Sequence, residues 1–67
     1  MTIEIYQRVK LVTDRFASTD DLTTGAIGYV IEVYPDGNYE VEFSDENGIT
    51  CAQIVAKPDE LEVCEDD

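Results

Sequence analysis

The sequence has no histidine and no tryptophan, and only four lysines and arginines stand against sixteen aspartates and glutamates. Without histidine the chain lacks the usual general base near neutral pH and the commonest metal ligand. Cysteine is sparse as well. Cys51 and Cys64 are too few for a disulfide framework and too far apart for a zinc pattern. Two reduced thiols are expected, the alternative being a single bridge that ties down the last strand. No segment approaches the ~18 apolar residues of a membrane span, and no basic-then-apolar leader opens the chain. A cytoplasmic protein is the expectation.

What remains is a formal charge of −12 on 67 residues, with 43% of them hydrophobic. That length supports one domain, over residues 1–67, near the lower limit for a core without staples. It leaves no room for a deep, dry catalytic cleft. The acids are interleaved with Val, Ile, Leu and Tyr, unlike those of a disordered acidic tail. Such a surface repels nucleic-acid phosphates and anionic lipid heads, so neither is expected as a direct partner. It attracts basic proteins and speeds encounter with them. Solubility alone would also explain the charge.

The hydrophobic pattern is that of strands and turns. Residues 5–13 form the first predicted strand, with Val9 and Leu11 on one face and Arg8 and Lys10 on the other. Residues 14–24 read as a long polar loop, with Phe16 and Leu22 as anchors to the core. Residues 26–34 are dense in β-branched and aromatic side chains and predict a second strand. Gly25 and Gly28 mark its start as a sharp turn or a close backbone approach. Tyr34-Pro35-Asp36-Gly37-Asn38 then has the chemistry of a type I turn closed by a glycine bulge.

That turn implies a register. It sets Val33 opposite Tyr39, Ile31 opposite Val41 and Tyr29 opposite Phe43, six residues that would share the core face. The outer face would then carry Glu32 across from Glu40 and Val30 across from Glu42. Like charges directly opposed across strands cost roughly a few tenths of a kcal/mol, so folding alone gives no reason for them. Asp45-Glu46-Asn47-Gly48 predicts a second turn, leading into a strand over 49–55. Matching apolar partners sets Val41 against Ala52 and Tyr39 against Ile54, with Cys51 and Gln53 outward. A single short turn over Lys57-Pro58-Asp59-Glu60, ordinary or 3₁₀, precedes a last strand over 61–63 and a frayed acidic end from about residue 64. Five short strands in this order make an all-β, SH3-like barrel.

Few constellations carry chemistry. Glu40 and Glu42 lie about 7 Å apart along one strand face, from a rise of ~3.3 Å per residue. That spacing would suit a glycosidase pair, but the convex face of a small barrel offers no cleft. Asp45 to Gly48 resembles the start of a calcium loop, yet Ala56 stands at the twelfth position, where a bidentate glutamate belongs. Cys51 beside acids is a sluggish thiol. No catalytic residue, cofactor or metal is expected, and the chain reads as a binding protein. The candidate contact surface is Glu32, Glu40 and Glu42 with Tyr34 as apolar anchor, and Asp45 and Glu46 at the rim. Alternatively, the 14–24 loop folds over Val30 and Tyr34, and the acids are merely solvated.

Residues 22–34, Leu-Thr-Thr-Gly-Ala-Ile-Gly-Tyr-Val-Ile-Glu-Val-Tyr, followed by 37–43, Gly-Asn-Tyr-Glu-Val-Glu-Phe, resemble a family of short bacterial proteins known as domain of unknown function 4926. The stretch from Asp45 to Leu61 fits the same pattern, so the resemblance spans roughly residues 5–63. It implies an SH3-like fold, no known catalytic activity, and likeness to the immunity or antitoxin partners of bacterial toxins. The chain departs from the family in its greater acidity and in Cys51. The leading expectation is an immunity or antitoxin protein that blocks a basic toxin, such as a nuclease, by occluding its active site. A phage-type DNA mimic and an adaptor subunit of a larger assembly are the rivals.

Overall fold

The computed structural model describes residues 3–64. Its strands are β1 (Arg8–Leu11), β2 (Ile27–Val33), β3 (Tyr39–Ser44), β4 (Thr50–Ala56) and β5 (Leu61–Val63). They form one antiparallel sheet in the order β4-β3-β2-β1-β5. A one-turn helix, α1 (Ala17–Asp20), interrupts the long first loop, and a 3₁₀ turn, Pro58–Glu60, precedes β5. The expected five short antiparallel strands, long first loop and turn before the last strand are therefore present. The ring is not closed: β4 and β5 are the two edges of an open sheet. "Barrel" thus overstates the closure of a small all-β fold.

Alternation along β1 and β3 builds the core. Val9 and Leu11 are fully buried while Arg8 and Lys10 face outward. Tyr39, Val41 and Phe43 point inward between the half-buried Glu40 and Glu42. Val30, Ile54, Ala56 and Leu61 complete the cluster, and Phe16 and Leu22 pin the first loop into it, as expected. Ile3, upstream of the predicted strand, is also in the core. The first strand is shorter than residues 5–13. A turn at its start, with Gln7 N–H bonded to the Glu4 carbonyl and Tyr6 at φ 69°, breaks the extended run.

Both hairpins use the same turn. Gly37 N–H reaches the Tyr34 carbonyl and Tyr34 N–H the Asn38 carbonyl, at 3.0 and 2.9 Å. Gly48 and Asp45 repeat this pattern, with Gly48 N–H to the Asp45 carbonyl and Asp45 N–H to the Ile49 carbonyl, both 2.9 Å. Both glycines have the positive φ that the turn demands, 93° and 80°.

The β2–β3 register departs from expectation after the first two pairs beyond the turn. Val33 pairs with Tyr39 and Glu32 with Glu40 as predicted, but Val30, not Ile31, then faces Val41. Ile31 is the extra residue of a β-bulge, which reverses the facing of everything before it. Tyr29 pairs with Glu42 on the outer face and is 50% exposed; Val30 is fully buried. The reason lies at Gly28. A Cβ there would stand 2.7 Å from the Glu42 carbonyl oxygen and 2.9 Å from the Phe43 ring. Glycine is the inward residue that lets Phe43 lie flat on β2, and its neighbour Tyr29 must therefore point out. In β4 the predicted facing is right for Gln53, Ile54 and Val55, but the partners move by two residues: Val41 meets Ile54, and Tyr39 meets Ala56. An irregularity at Cys51 accounts for one of these residues, and the turn, closed by Asp45 and Ile49, for the other.

The sheet ends are joined by side chains instead of a ladder. Glu60 is the one buried charged residue among those described. Arg15, from the first loop, donates to it twice, Nε to Oε2 at 2.5 Å and Nη2 to Oε1 at 2.8 Å. The same Nη2 reaches the Val55 carbonyl at 3.3 Å, and Lys57 N–H adds a bond to Glu60 Oε1 at 2.9 Å. Arg15 also lies 4.2 Å over the Phe16 ring. These bonds hold the Glu60 carboxyl at about 2, Arg15 contributing most. The predicted fraying at residue 64 does not occur there, since Cys64 N–H bonds the Arg8 carbonyl at 2.9 Å; residues 65–67 lie outside the described residues. Neither Cys51 nor Cys64 is in a disulfide.

Two stability measurements test this account. Gly28→Ala should cost about 2 kcal/mol in urea unfolding, as overpacking against backbone does. Glu60→Gln should cost about 1–2 kcal/mol at neutral pH. Because the folded carboxyl titrates below its ordinary 4.5, its contribution is complete above that value and fades as pH falls toward 2. The gap between wild type and Glu60→Gln should therefore close over that range. A gap that persists at pH 2 would show that the ion pair is not its source.

Candidate functional site

The outer face of the sheet is read in rows across the strands. One row runs Arg8, Tyr29, Glu42, Gln53, and the next, past the bulge, Glu32, Glu40, Val55. Lys10 and Ile27 pair on the β1 side, and Lys10 forms a 3.2 Å ion pair with Glu62. The face is therefore divided, with two cations on β1 and three glutamates over β2 and β3. Tyr29 stands on the boundary.

Three of the predicted residues come together as expected, in Glu32, Glu40 and Glu42. Glu32 and Glu40 are directly opposed, while Glu42 lies one outward step further along β3. Their bonding differs. Glu40 Oε1 accepts a short hydrogen bond from the Tyr34 hydroxyl, and its Oε2 is 3.5 Å from Gln53 Nε2. Glu42 Oε2 accepts from Thr50 Oγ1 at 2.7 Å. Glu32 is exposed and has no hydrogen bond or ion pair among the described residues. It is the acid most available to a partner.

Tyr34 does not present a free apolar anchor. It is half-buried, and its hydroxyl is committed to Glu40. That bond and the nearby acids raise its pKa above the ordinary 10: Glu40 first, then burial, then the charges of Glu40, Glu32 and Asp36. Asp45 is likewise a turn residue, its Oδ1 accepting from Asn47 N–H at 2.9 Å and Ile49 N–H at 3.0 Å. Glu46 is exposed at the tip of that turn. Val30 has left the face for the core. The 14–24 loop sends Phe16 and Leu22 into the core and Arg15 to Glu60, which leaves Tyr29 and Glu32 open to solvent.

The exposed aromatic on this face is Tyr29, which the sequence reading placed in the core. A signal for it existed. Gly28 read as an inward close approach puts Tyr29 outward, whereas the turn register alone puts it inward. No group of three or more potential ligands is disposed around a metal position among the described residues. None of the described helices is long and apolar enough to cross a membrane.

A family model described as domain of unknown function (DUF4926) matches residues 5–63, and the chain belongs to that family. No curated protein and no solved structure matches it. The site is therefore tested on its own groups. In a spectrophotometric pH titration Tyr34 should ionise above the usual tyrosine range, and Glu40→Gln should bring it back toward 10. The Tyr34–Glu40 bond favours the protonated phenol, so its contribution is lost as pH rises from 10 through the raised pKa. A tyrosine titration unchanged by Glu40→Gln would remove the bond from the site.

Proposed function

We propose that this member of the DUF4926 family is a non-catalytic immunity or antitoxin protein that neutralises a basic toxin by covering its active site. A toxin that cleaves nucleic acid fits best, because a groove built for phosphates presents the complementary charge. The observation that carries this reading is the direct opposition of Glu32 and Glu40, with Glu42 beyond them, around the half-exposed Tyr29. The opposed pair weakens the sheet, so a use outside folding is the natural account of it. An aromatic amid acids matches the makeup of an interface, with a large anchor ringed by charge.

The contact surface proposed is Glu32, Glu40 and Glu42 with Tyr29, and Glu46 at the rim. Tyr34 acts through Glu40, holding that carboxylate in place. Asp45 shapes the turn that carries Glu46. The arrangement supplies long-range attraction from the net charge of −12 and short-range contact from the aromatic. The first speeds encounter; the second slows release.

The test uses wild type and Glu32→Lys/Glu42→Lys side by side. Glu40 is left in place because it bonds Tyr34. Replacing Glu32 removes the repulsion with Glu40, so the variant should be as stable as wild type or more so. As baits in lysate of the native host, wild type should retain a basic protein that the variant releases. The retained protein should cleave nucleic acid when free and be inhibited when bound. Affinity should fall by orders of magnitude in the variant and also as salt is raised. Equal affinity would refute the surface, and a partner whose activity is untouched by binding would refute the immunity role.

A further inference from the structure

The two edges of the sheet are built differently. β5 is three residues long, contains Glu62 ion-paired to Lys10, and follows the buried Glu60. That is how proteins ordinarily protect an edge, by shortness and charge. β4 is seven residues long and has neither charge nor proline. The uncharged run extends over residues 47–56 in a chain where 30% of residues are charged. An uncharged run of the same length, 22–31, includes most of β2, but β2 is paired on both sides. On β4 such a run is exposed, with Thr50, Cys51, Gln53 and Val55 all open.

No described strand pairs with the backbone of that edge, although Arg15 Nη2 holds its Val55 carbonyl. The Val55 carbonyl is reached by Arg15 Nη2 and so points away from β3. In an antiparallel ladder such groups alternate, so the N–H groups of Val55 and Gln53 and the Gln53 carbonyl also face outward. No described segment pairs with them.

We infer that the β4 edge receives an extended, basic segment of the partner as a sixth strand. This inference rests on the basic-partner reading and names how that partner is held. Charge selects the occupant. On the outer face an added strand would lie beside Gln53 and Val55, whose β3 neighbours are Glu42 and Glu40. Those glutamates stand two strand spacings away, about 10 Å, a gap that a lysine or arginine and a glutamate bridge between them. On the inner face its neighbours would be Ala52, Ile54 and Ala56. The fitting segment therefore alternates cationic and apolar residues, with main-chain bonds for affinity and alternate side chains for selection. A second copy of this chain fits poorly, since pairing two β4 edges would bring together two molecules of charge −12.

The experiment uses the ¹⁵N-labelled chain and two synthetic peptides. One is a capped octapeptide of alternating lysine and valine. The other is the same peptide N-methylated at every residue, so that neither of its edges can donate, with its charge kept and its strand pairing abolished. The unmodified peptide should slow amide exchange at Gln53 and Val55, and the methylated one should bind at least tenfold more weakly. Equal binding of both, with shifts confined to Tyr29, Glu40 and Glu42, would overturn strand addition and leave the acidic-face reading standing. Binding of neither would overturn both. Protection of Gln53 and Val55 that grows with protein concentration alone, without peptide, would overturn the basic segment in favour of self-pairing.

Discussion

In a chain so poor in cations, the placing of Arg15 decides how the fold holds together. It turns away from the many exposed acids to Glu60, the one acid that is buried among the described residues, and grips it with two bonds. The first loop is thereby fastened to the connection between β4 and β5. The Val12 N–H to Glu60 carbonyl bond, 2.8 Å, reinforces the same junction from the end of β1. An open sheet of this size would otherwise rely on a core of a dozen side chains. Cross-linking its extremities through a half-shielded ion pair substitutes for the missing ladder between the two edge strands, β4 and β5. It also offsets, for Glu60, the repulsion of the surrounding acids, because its charge is satisfied locally.

How legible this was in the sequence depended on range. Turn chemistry is local, and Pro35-Asp36-Gly37 and Asp45-Glu46-Asn47-Gly48 both fold as their residues require. Period-2 burial in β1 and β3 is local too, and Val9, Leu11, Val41 and Phe43 lie where alternation puts them. The 3₁₀ turn at Pro58 follows from proline and the acids behind it. The bulge at Ile31 was not legible from alternation, because a bulge is a break in it. Its cause was written two strands' worth of contacts away, in the fit of Gly28 beneath Phe43. The Arg15–Glu60 pair was hidden for another reason. Its members are 45 residues apart, and nothing local distinguishes Glu60 from fifteen other acids.

The candidate site shows the same division. The acids of β3 and their opposition to Glu32 could be read from one turn and a period of two. The aromatic partner could not, because it lies on the far side of the bulge. The result is an exchange of roles between two tyrosines: Tyr34 becomes a brace for Glu40, and Tyr29 becomes the exposed ring. Chemistry alone does not separate them, since both are tyrosines on the same strand or its end. Facing does, and facing is a property of the pairing.

That bulge makes residue number a constraint in its own right. Gly28 and Gly37 stand nine positions apart, and each is held by its own demand: one by the ring above it, the other by a left-handed turn. The segment between them must contain an odd step to satisfy both. Relatives could vary nearly every side chain in that interval and keep the architecture. Losing or gaining one residue would force Tyr29 into the core or Gly28 out of it. The constraint at this point is therefore metric as much as chemical, and an alignment that gaps between these two glycines would join chains with different faces.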